Sequence, residues 1–387
     1  MSFSNFRELE PHPLRILLVE DSSSFAELVK AQLRITIDFP HEVFQAGRLQ
    51  AAIELLRESQ IDLVILDMHL PDSQGLDTYL AVQIHSFDIP VVILSSDDSV
   101  QLAIECLKAG AQDYLIKGDN DSFQLTRAMR FAIERKNRVH AQRELEAARQ
   151  IQKTLLPDGN PTVCGFDIAG SLIPAVETAG DYYDFFVPMP GAGDNAFAVA
   201  VGDVSGHGLG PAMVMAEARA ALHAFSLIEN DPGRILELTN SVMNRSRHHH
   251  FMTLMVACIR PDTCEVSYSS AGHQGWHMSA DGAVTPMEPT GPLLGILTGE
   301  LIADGWPVSH LSLSPGELLL ITTDGSHEAR SESGEFLGAD RILERVKTWR
   351  DRPASEIVEQ LNTFIANHVG RSFPADDTTV VVVKRQE

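Results

Sequence analysis

The chain reads as α/β in two parts: a doubly wound parallel sheet, then a long helix, then antiparallel sheets with helices packed outside. Three observations carry this. Short apolar runs alternate with amphipathic stretches between Leu14 and about Ile133. Residues 122–156 contain no Gly or Pro. Beyond Pro157, alternating apolar runs follow one another with few helical stretches between them.

The N-terminal runs are LRILLV, IDLVIL, IPVVIL and DYLI, with a weaker one at HEVFQA. Near-continuous apolarity means strands covered on both faces. The stretches between them, such as Phe25–Leu33, Leu49–Leu56 and Val100–Leu107, have helical periodicity, so parallel strands joined by crossover helices are expected. Residues 122–156 are rich in Ala, Arg, Glu and Gln, which predicts one helix ending before Pro157. Leu125, Ala132 and Val139 recur every seventh position, but Arg135 and Gln142 interrupt the seam. Further on, AFAVAVGDV, FMTLMVACI, EVSYSS and ELLLITT read as strands, and helices are expected at about 211–226, 233–245, 339–349 and 354–368.

Composition narrows the function. A length of 387 residues predicts two domains, or three. The formal net charge of −23 argues against a nucleic-acid partner, whose phosphates such a surface repels. Residues 127–153 are locally basic, with eight Lys/Arg against three Glu, but without the aromatic interleaving of a nucleic-acid or membrane patch. No apolar run reaches the length of a membrane span, and the N-terminus lacks a signal-type apolar segment. Cys106, Cys164, Cys258 and Cys264 show no metal-type spacing, as suits a reducing cytoplasm. The run His248–His250 reads as a polar lead into a strand.

Two carboxylate sets carry chemistry. In an open parallel sheet, ligands bind beyond the carboxyl ends of the strands. Those ends are Glu20-Asp21, Asp67, Ser95 and Lys117. Three carboxylates at one point need a hard cation such as Mg²⁺. Asp67 is then placed as nucleophile, with Ser95 and Lys117 toward the phosphoryl oxygens. A single Asp after a strand is ordinary. The full set, with LPDSQG after Asp67 and GAQDYLIK around Lys117, is specific. Residues 14–135 resemble the receiver domain of two-component response regulators, a (βα)5 fold. The resemblance implies that Asp67 is phosphorylated by a histidine kinase. It also implies that Glu20, Asp21, Asp67 and the His69 carbonyl hold Mg²⁺, and that Tyr114 is a switch aromatic coupled to Ser95. Where the family usually has Pro after the Lys, this chain has Gly118. A cis bond without Pro costs about 2.5–4 kcal/mol, which predicts a trans Lys117–Gly118 bond.

The second set is Asp181 in GDYYDFF, Asp203 in GDVSGHG, Asp324 in TTDGSHEAR and Asp376 in ADDTTVVVV. One turn Asp merely caps a loop. Four in this order, with Gly allowing close backbone approach, suggest hard oxygen ligands for two Mg²⁺ or Mn²⁺ ions and phosphate hydrolysis. Residues 147–384 resemble the SpoIIE-like branch of metal-dependent Ser/Thr protein phosphatases (the PPM family). The match includes ARQIQKTLLP, SSAGHQGWH and GPLLG. The resemblance implies an α-β-β-α sandwich over 157–387, with Asp181, Asp203, Asp324 and Asp376 as metal ligands, Asp203 bridging, and the Val204 carbonyl contributing. Asp377 is the less certain neighbour. Ala179 stands for the first Gly of the usual GGD, and Ser326-His327 for an apolar-Thr pair. His207 and His273 read as structural. No Arg or Lys is assigned to the substrate phosphate, and no residue to an organic cofactor.

The expected organisation is a tail at 1–13, a receiver at 14–135, a linker helix at 122–156 and a phosphatase at 157–387. The expected function is a cytoplasmic response regulator whose Asp67 phosphorylation controls a protein Ser/Thr phosphatase. The family implies an anti-sigma-factor antagonist as substrate, and the linker helix offers a homodimer contact. The alternative is a catalytically silent adaptor that sequesters or delivers a regulatory protein. A DNA-binding regulator is disfavoured, because residues 339–387 offer no basic recognition helix.

Overall fold

The computed structural model describes residues 13–37, 39–96, 98–118, 122–187, 196–246, 249–297, 305–370 and 374–386. The expected tail, through residue 12, and His248 lie outside the described residues. The chain divides into two compact units, Met1–Arg143 and Glu144–Glu387.

In the first unit, β1 (Leu14–Val19), α1 (Ser23–Thr36), β2 (His41–Ala46), α2 (Leu49–Glu58) and β3 (Leu63–Leu66) follow in order. A small hairpin comes next, β4 (His69–Leu70) and β5 (Ser73–Gln74), then α3 (Leu76–His85), β6 (Val91–Ser95), α4 (Val100–Lys108) and β7 (Asp113–Ile116). The five main strands form one parallel sheet, ordered β2-β1-β3-β6-β7. Alternate residues explain the double winding. Leu17, Val19, Val64, Leu66 and Ile93 face α2, α3 and α4, packing with Ala52, Tyr79, Val82 and Cys106. Ile16, Leu18, Leu63, Ile65 and Val92 face α1 and α5 (Ser122–Lys153). Both faces are buried, so the strands carry no polar alternation. Serines cap two of these helices: Ser22 accepts from the Phe25 amide and Ser99 from the Leu102 amide.

Helix α5 is 32 residues long and ends at Lys153, three residues before the expected stop at Leu156. The chain tightens there: the Thr154 amide donates to the Ile151 carbonyl at 3.0 Å and the Leu155 amide to the Gln152 carbonyl at 2.9 Å. Such i→i−3 bonds close a helix end ahead of Pro157, whose ring disfavours helical geometry just before it. The heptad positions do not form one free seam. Leu125 and Ala132 are buried with Ala128 and Met129 in the core of the first unit, whereas Val139 is exposed. Among the described residues, no helix is long and apolar enough to cross a membrane.

The second unit is a four-layer sandwich. Its strands are β8 (Phe166–Ile173), β9 (Tyr182–Phe186), β10 (Phe197–Val204), β11 (Met252–Arg260), β12 (Glu265–Ala271), β13 (Gly275–Met278), β14 (Val284–Met287), β15 (Ser309–Ser312), β16 (Leu318–Thr322) and β17 (Thr378–Arg385). Its helices are α6 (Leu209–Ser226), α7 (Pro232–Met243), the one-turn α8 (Asp324–His327), α9 (Ala339–Trp349) and α10 (Ala354–Val369). Two antiparallel sheets form, ordered β15-β12-β11-β10-β9 and β14-β13-β16-β17-β8. Val199, Val201, Met255 and Ala257 of the first meet Leu319, Ile321, Val381 and Val383 of the second. The alternate residues Ala198, Ala200, Leu254 and Val256 face α6 and α7, while Leu318, Leu320, Val380 and Val382 face α9 and α10. Period-2 alternation thus gives each strand two buried faces. The strands absent from the expectation are β8, β9, β13, β14, β15 and β17, of which β13, β14 and β15 have only four residues each. Gly170 interrupts β8 where a Cβ would come within 2.5 Å of the Tyr183 ring.

Replacing Ile321, which is 1% exposed between the two sheets, by Ala should cost about 2–5 kcal/mol. The expected outcome is a lower urea midpoint for the transition of the second unit, with that of the first unit unchanged.

Candidate active sites

The first site lies beyond the carboxyl ends of β1, β3 and β6, where the sheet order reverses direction around β1. Glu20 and Asp67 are buried and Asp21 is exposed. One ligand atom from each lies within 4.8 Å of the others, a grouping that fits a hard divalent cation. Lys117 reaches this cluster from the end of β7. Its Nζ donates to Glu20 Oε2 at 2.6 Å and to Asp67 Oδ2 at 2.7 Å, and sits 4.6 Å from the Phe25 ring centroid. Burial pushes the Glu20 carboxyl above its ordinary range, opposed by the Lys117 ammonium. The His69 amide donates to Asp67 Oδ1 at 3.2 Å, which holds the carboxylate against the loop that carries the His69 carbonyl.

Lys117 needs no cis peptide to do this: the described residues contain none, and Gly118 takes a φ of +95°, a conformation open to glycine. The Lys117 amide donates to the Ser95 carbonyl at 2.7 Å, tying the ends of β6 and β7 together. Ser95 is fully buried at the end of β6. Tyr114 pairs with Ile93 across the sheet and packs, half-buried, on the α2–α4 side.

The second site gathers four turns from the two sheets of the sandwich. Asp181 precedes β9, Asp203 ends β10, Asp324 follows β16 and Asp376 precedes β17. Glycines let these turns touch. A Cβ on Gly180 would lie 2.8 Å from the Val204 carbonyl oxygen. A Cβ on Gly325 would lie 1.9 Å from the Asp377 carbonyl oxygen and 3.3 Å from Asp376 Cβ. The Asp181 turn therefore rests on the Val204 carbonyl, and the Asp324 turn on the Asp376-Asp377 turn.

The carboxylates of this site interact strongly. Asp181 is buried, and its Oδ2 accepts from Thr323 Oγ1 at 2.7 Å and Thr379 Oγ1 at 2.6 Å. Burial, then the Asp203 charge, still holds its carboxyl well above the usual range. Asp203 is pushed up to about 7, first by burial and then by Asp324 and Asp376. Asp376 is raised by burial as well, and His207 opposes that shift. No three of these four draw together as tightly as the receiver set. This oxygen donor set fits hard divalent cations.

Several residues have structural work here that their types alone do not reveal. Asp377 is buried and accepts from the Ala175 amide at 2.8 Å and the Gly180 amide at 2.7 Å, so it braces the Asp181 turn. Asp184, the second Asp of GDYYDFF, points elsewhere: it faces His223 at 2.7 Å, Arg219 at 3.2 Å and the Tyr182 hydroxyl at 3.0 Å, linking β9 to α6. His273 is buried against Thr253 Oγ1 at 2.9 Å, and burial pushes it down to about 4, as befits a neutral structural ring. His207 is exposed in the glycine loop after β10, near enough to Asp376 to act on its charge. The TTD and DDTT doublets were a legible signal for Thr323 and Thr379. Gln152 of ARQIQKTLLP, which holds Ala179, carried none beyond the motif itself.

Comparison with known proteins agrees with this geometry. A family model for Stage II sporulation protein E (SpoIIE) matches residues 193–386, and one for the response regulator receiver domain matches residues 16–130. The chain is 29% identical to Protein IcfG of Synechocystis sp. over 272 residues, which are 62% of this chain and 41% of IcfG. It is 26% identical to phosphoserine phosphatase RsbU of Bacillus subtilis over 246 residues, 63% of this chain and 70% of RsbU. The chain thus spans less than half of IcfG. Among solved structures, the SiaA-PP2C domain of Pseudomonas aeruginosa shares the fold, with a TM-score of 0.56 at 21% identity, covering 65% of this chain and 99% of that one. With half of its length matched by that family model, the chain belongs to the SpoIIE family, its phosphatase domain of PP2C fold preceded by a response regulator receiver domain.

Proposed function

We propose that this chain is a phosphorylation-controlled protein Ser/Thr phosphatase. The observation that carries the reading is the convergence of Asp181, Asp203, Asp324 and Asp376, where burial and mutual repulsion raise the Asp181, Asp203 and Asp376 carboxyls above their ordinary range. Asp181, Asp203, Asp324, Asp376 and the Val204 carbonyl would hold two Mn²⁺ or Mg²⁺ ions, with Asp203 between them. Such ions, when bound, lower the pKa of water and neutralise charge on a transferring phosphoryl group. The protein's own part is to keep the carboxylates fixed. Thr323 and Thr379 orient Asp181, and Asp377 holds its turn. The substrate class is a phosphoserine or phosphothreonine protein, which the likeness to phosphoserine phosphatase RsbU supports; the resemblance to the SpoIIE-like branch implies a small anti-sigma-factor antagonist.

The receiver end works as an acceptor. The Asp67 carboxylate attacks phosphorus of a histidine kinase's phosphohistidine, the P–N bond breaks and an acyl phosphate forms. Lys117, paired with Asp67 and Glu20, supplies a cation beside the new phosphoryl group. Glu20, Asp21, Asp67 and the His69 carbonyl would hold Mg²⁺. Ser95 and Tyr114 would respond to the added charge. The domain limits we assign are a receiver over 14–135, a helix over 122–156 and a phosphatase over 157–387, working in the cytoplasm. Pairing of two copies through α5 would use its exposed Phe131 and Val139, since Leu125 and Ala132 serve the receiver core.

Three outcomes test this reading. Asp203→Asn should fold as the parent does but release no phosphate from a phosphoserine protein in Mn²⁺. A folded parent with no Mn²⁺-dependent turnover would favour the silent adaptor. Incubation with a small acyl-phosphate donor and Mg²⁺ should place a base-labile label on the parent and none on Asp67→Asn, as read by intact mass.

The third concerns pH. Folded Asp203 titrates near 7 and its unfolded counterpart near 3.8. Between these values the folded state binds the extra proton, so stability falls as pH rises through that window. In chelator, the melting temperature should be higher at about pH 5.5 than at about pH 8, and Asp203→Asn should flatten this slope. Mn²⁺ should protect most at the higher pH.

A further inference from the structure

The last turn of α5 is polar and mostly exposed, yet it buries one glutamine. Arg149, Gln150, Ile151 and Lys153 face solvent, whereas Gln152 is 9% exposed. Its side-chain amide is matched to one residue. Nε2 donates to the Ala179 carbonyl at 2.6 Å, and the Ala179 amide donates to Oε1 at 3.0 Å. One side chain therefore satisfies both backbone groups of Ala179, itself 2% exposed. No water can replace a partner there without opening the site.

Ala179 begins the turn that presents Asp181. The next residue, Gly180, donates to Asp377 Oδ2 at 2.7 Å and accepts from the Val204 amide at 3.3 Å. Asp181 itself is gripped by Thr323 and Thr379. Each residue of the turn is thus fixed by contacts from elsewhere in the chain. Asp377, Thr323, Thr379 and Val204 all belong to the turns that carry the other carboxylates. Gln152 is different, since it comes from a helix 27 residues earlier.

We propose that Gln152 is a positioning residue for Asp181: its amide sets the Ala179–Asp181 turn at the spacing the divalent-cation site needs. This rests on the reading of Asp181 as a metal ligand. A turn freed at Ala179 keeps its threonine contacts but gains freedom at the backbone, so the cost falls on cation affinity. Where the end of α5 lies then bears directly on how well the Asp181 side of the site fills.

The test uses the full chain and Mn²⁺ alone, titrated with free Mn²⁺ read by electron paramagnetic resonance. The receiver carboxylates contribute equally in every protein compared. Gln152→Met keeps length and helix propensity and loses both hydrogen bonds. Gln152→Glu keeps an acceptor for the Ala179 amide and loses the donor to its carbonyl. Both should bind Mn²⁺ about tenfold more weakly than the parent, the low end of what loss of an outer-shell partner costs, and saturating Mn²⁺ should restore turnover of a phosphoserine protein. Parental Mn²⁺ affinity in both, with Asp181→Asn weakened, would overturn the role of Gln152 and leave the metal site standing. Parental affinity in Asp181→Asn would instead remove Asp181 from the ligand set, and the proposal with it. Lower thermal stability in the Gln152 variants without any change in Mn²⁺ affinity would make Gln152 a packing residue and overturn the proposal as well.

Discussion

Mutual repulsion among carboxylates gathered around the buried Asp181 is the constraint on which the phosphatase unit is built. Asp181 is buried with the half-buried Asp203 beside it, and the exposed Asp324 and Asp376 add to the same field. Such a cluster flies apart unless the backbone beneath it is over-determined. The two sheets supply that rigidity, because each Asp stands at the end of a strand whose other residues are locked between layers. The threonine pair on Asp181 offsets part of the repulsion by donating two hydrogen bonds to one oxygen. The remaining imbalance is what divalent cations are suited to relieve.

The receiver solves a similar problem differently. Its carboxylates have a cation built in, since Lys117 bridges Glu20 and Asp67. That bridge is short because β1, β3 and β7 end at one edge of a parallel sheet, and because Gly118 lets the chain turn directly after Lys117. An acidic site with its own ammonium tolerates charge being added or removed. It suits the phosphoacceptor role proposed above for Asp67.

Much of this was legible in the sequence because strand ends are. An apolar run that stops at a carboxylate, as LRILLV does at Glu20 and IDLVIL at Asp67, declares both an element and a site. AFAVAVGDV does the same for Asp203. The supporting threonines were marked by their doublets, but the contact they make was not. Thr323 and Thr379 meet Asp181 across 142 and 198 residues of chain, and no periodicity reports such a meeting. Asp377 stands next to a proposed ligand and shares its residue type, and its work is to brace the backbone. The heptad spacing of Leu125 and Ala132 suggested a partner helix, but a period near seven is also what a helix needs to lie on its own sheet. Composition separates these two cases poorly, since both bury Leu and Ala.

The contact at Gly325 has a bearing on how chains of this kind are judged. The space for a side chain there is already filled by the Asp377 carbonyl. Any larger residue would push the turn after β16 away from the turn before β17, and the two aspartates they carry would part. Counting aspartates is therefore an incomplete way to sort working enzymes from silent copies. A chain could retain every acidic ligand and still be inert through one added methyl group on a residue that has no chemistry of its own.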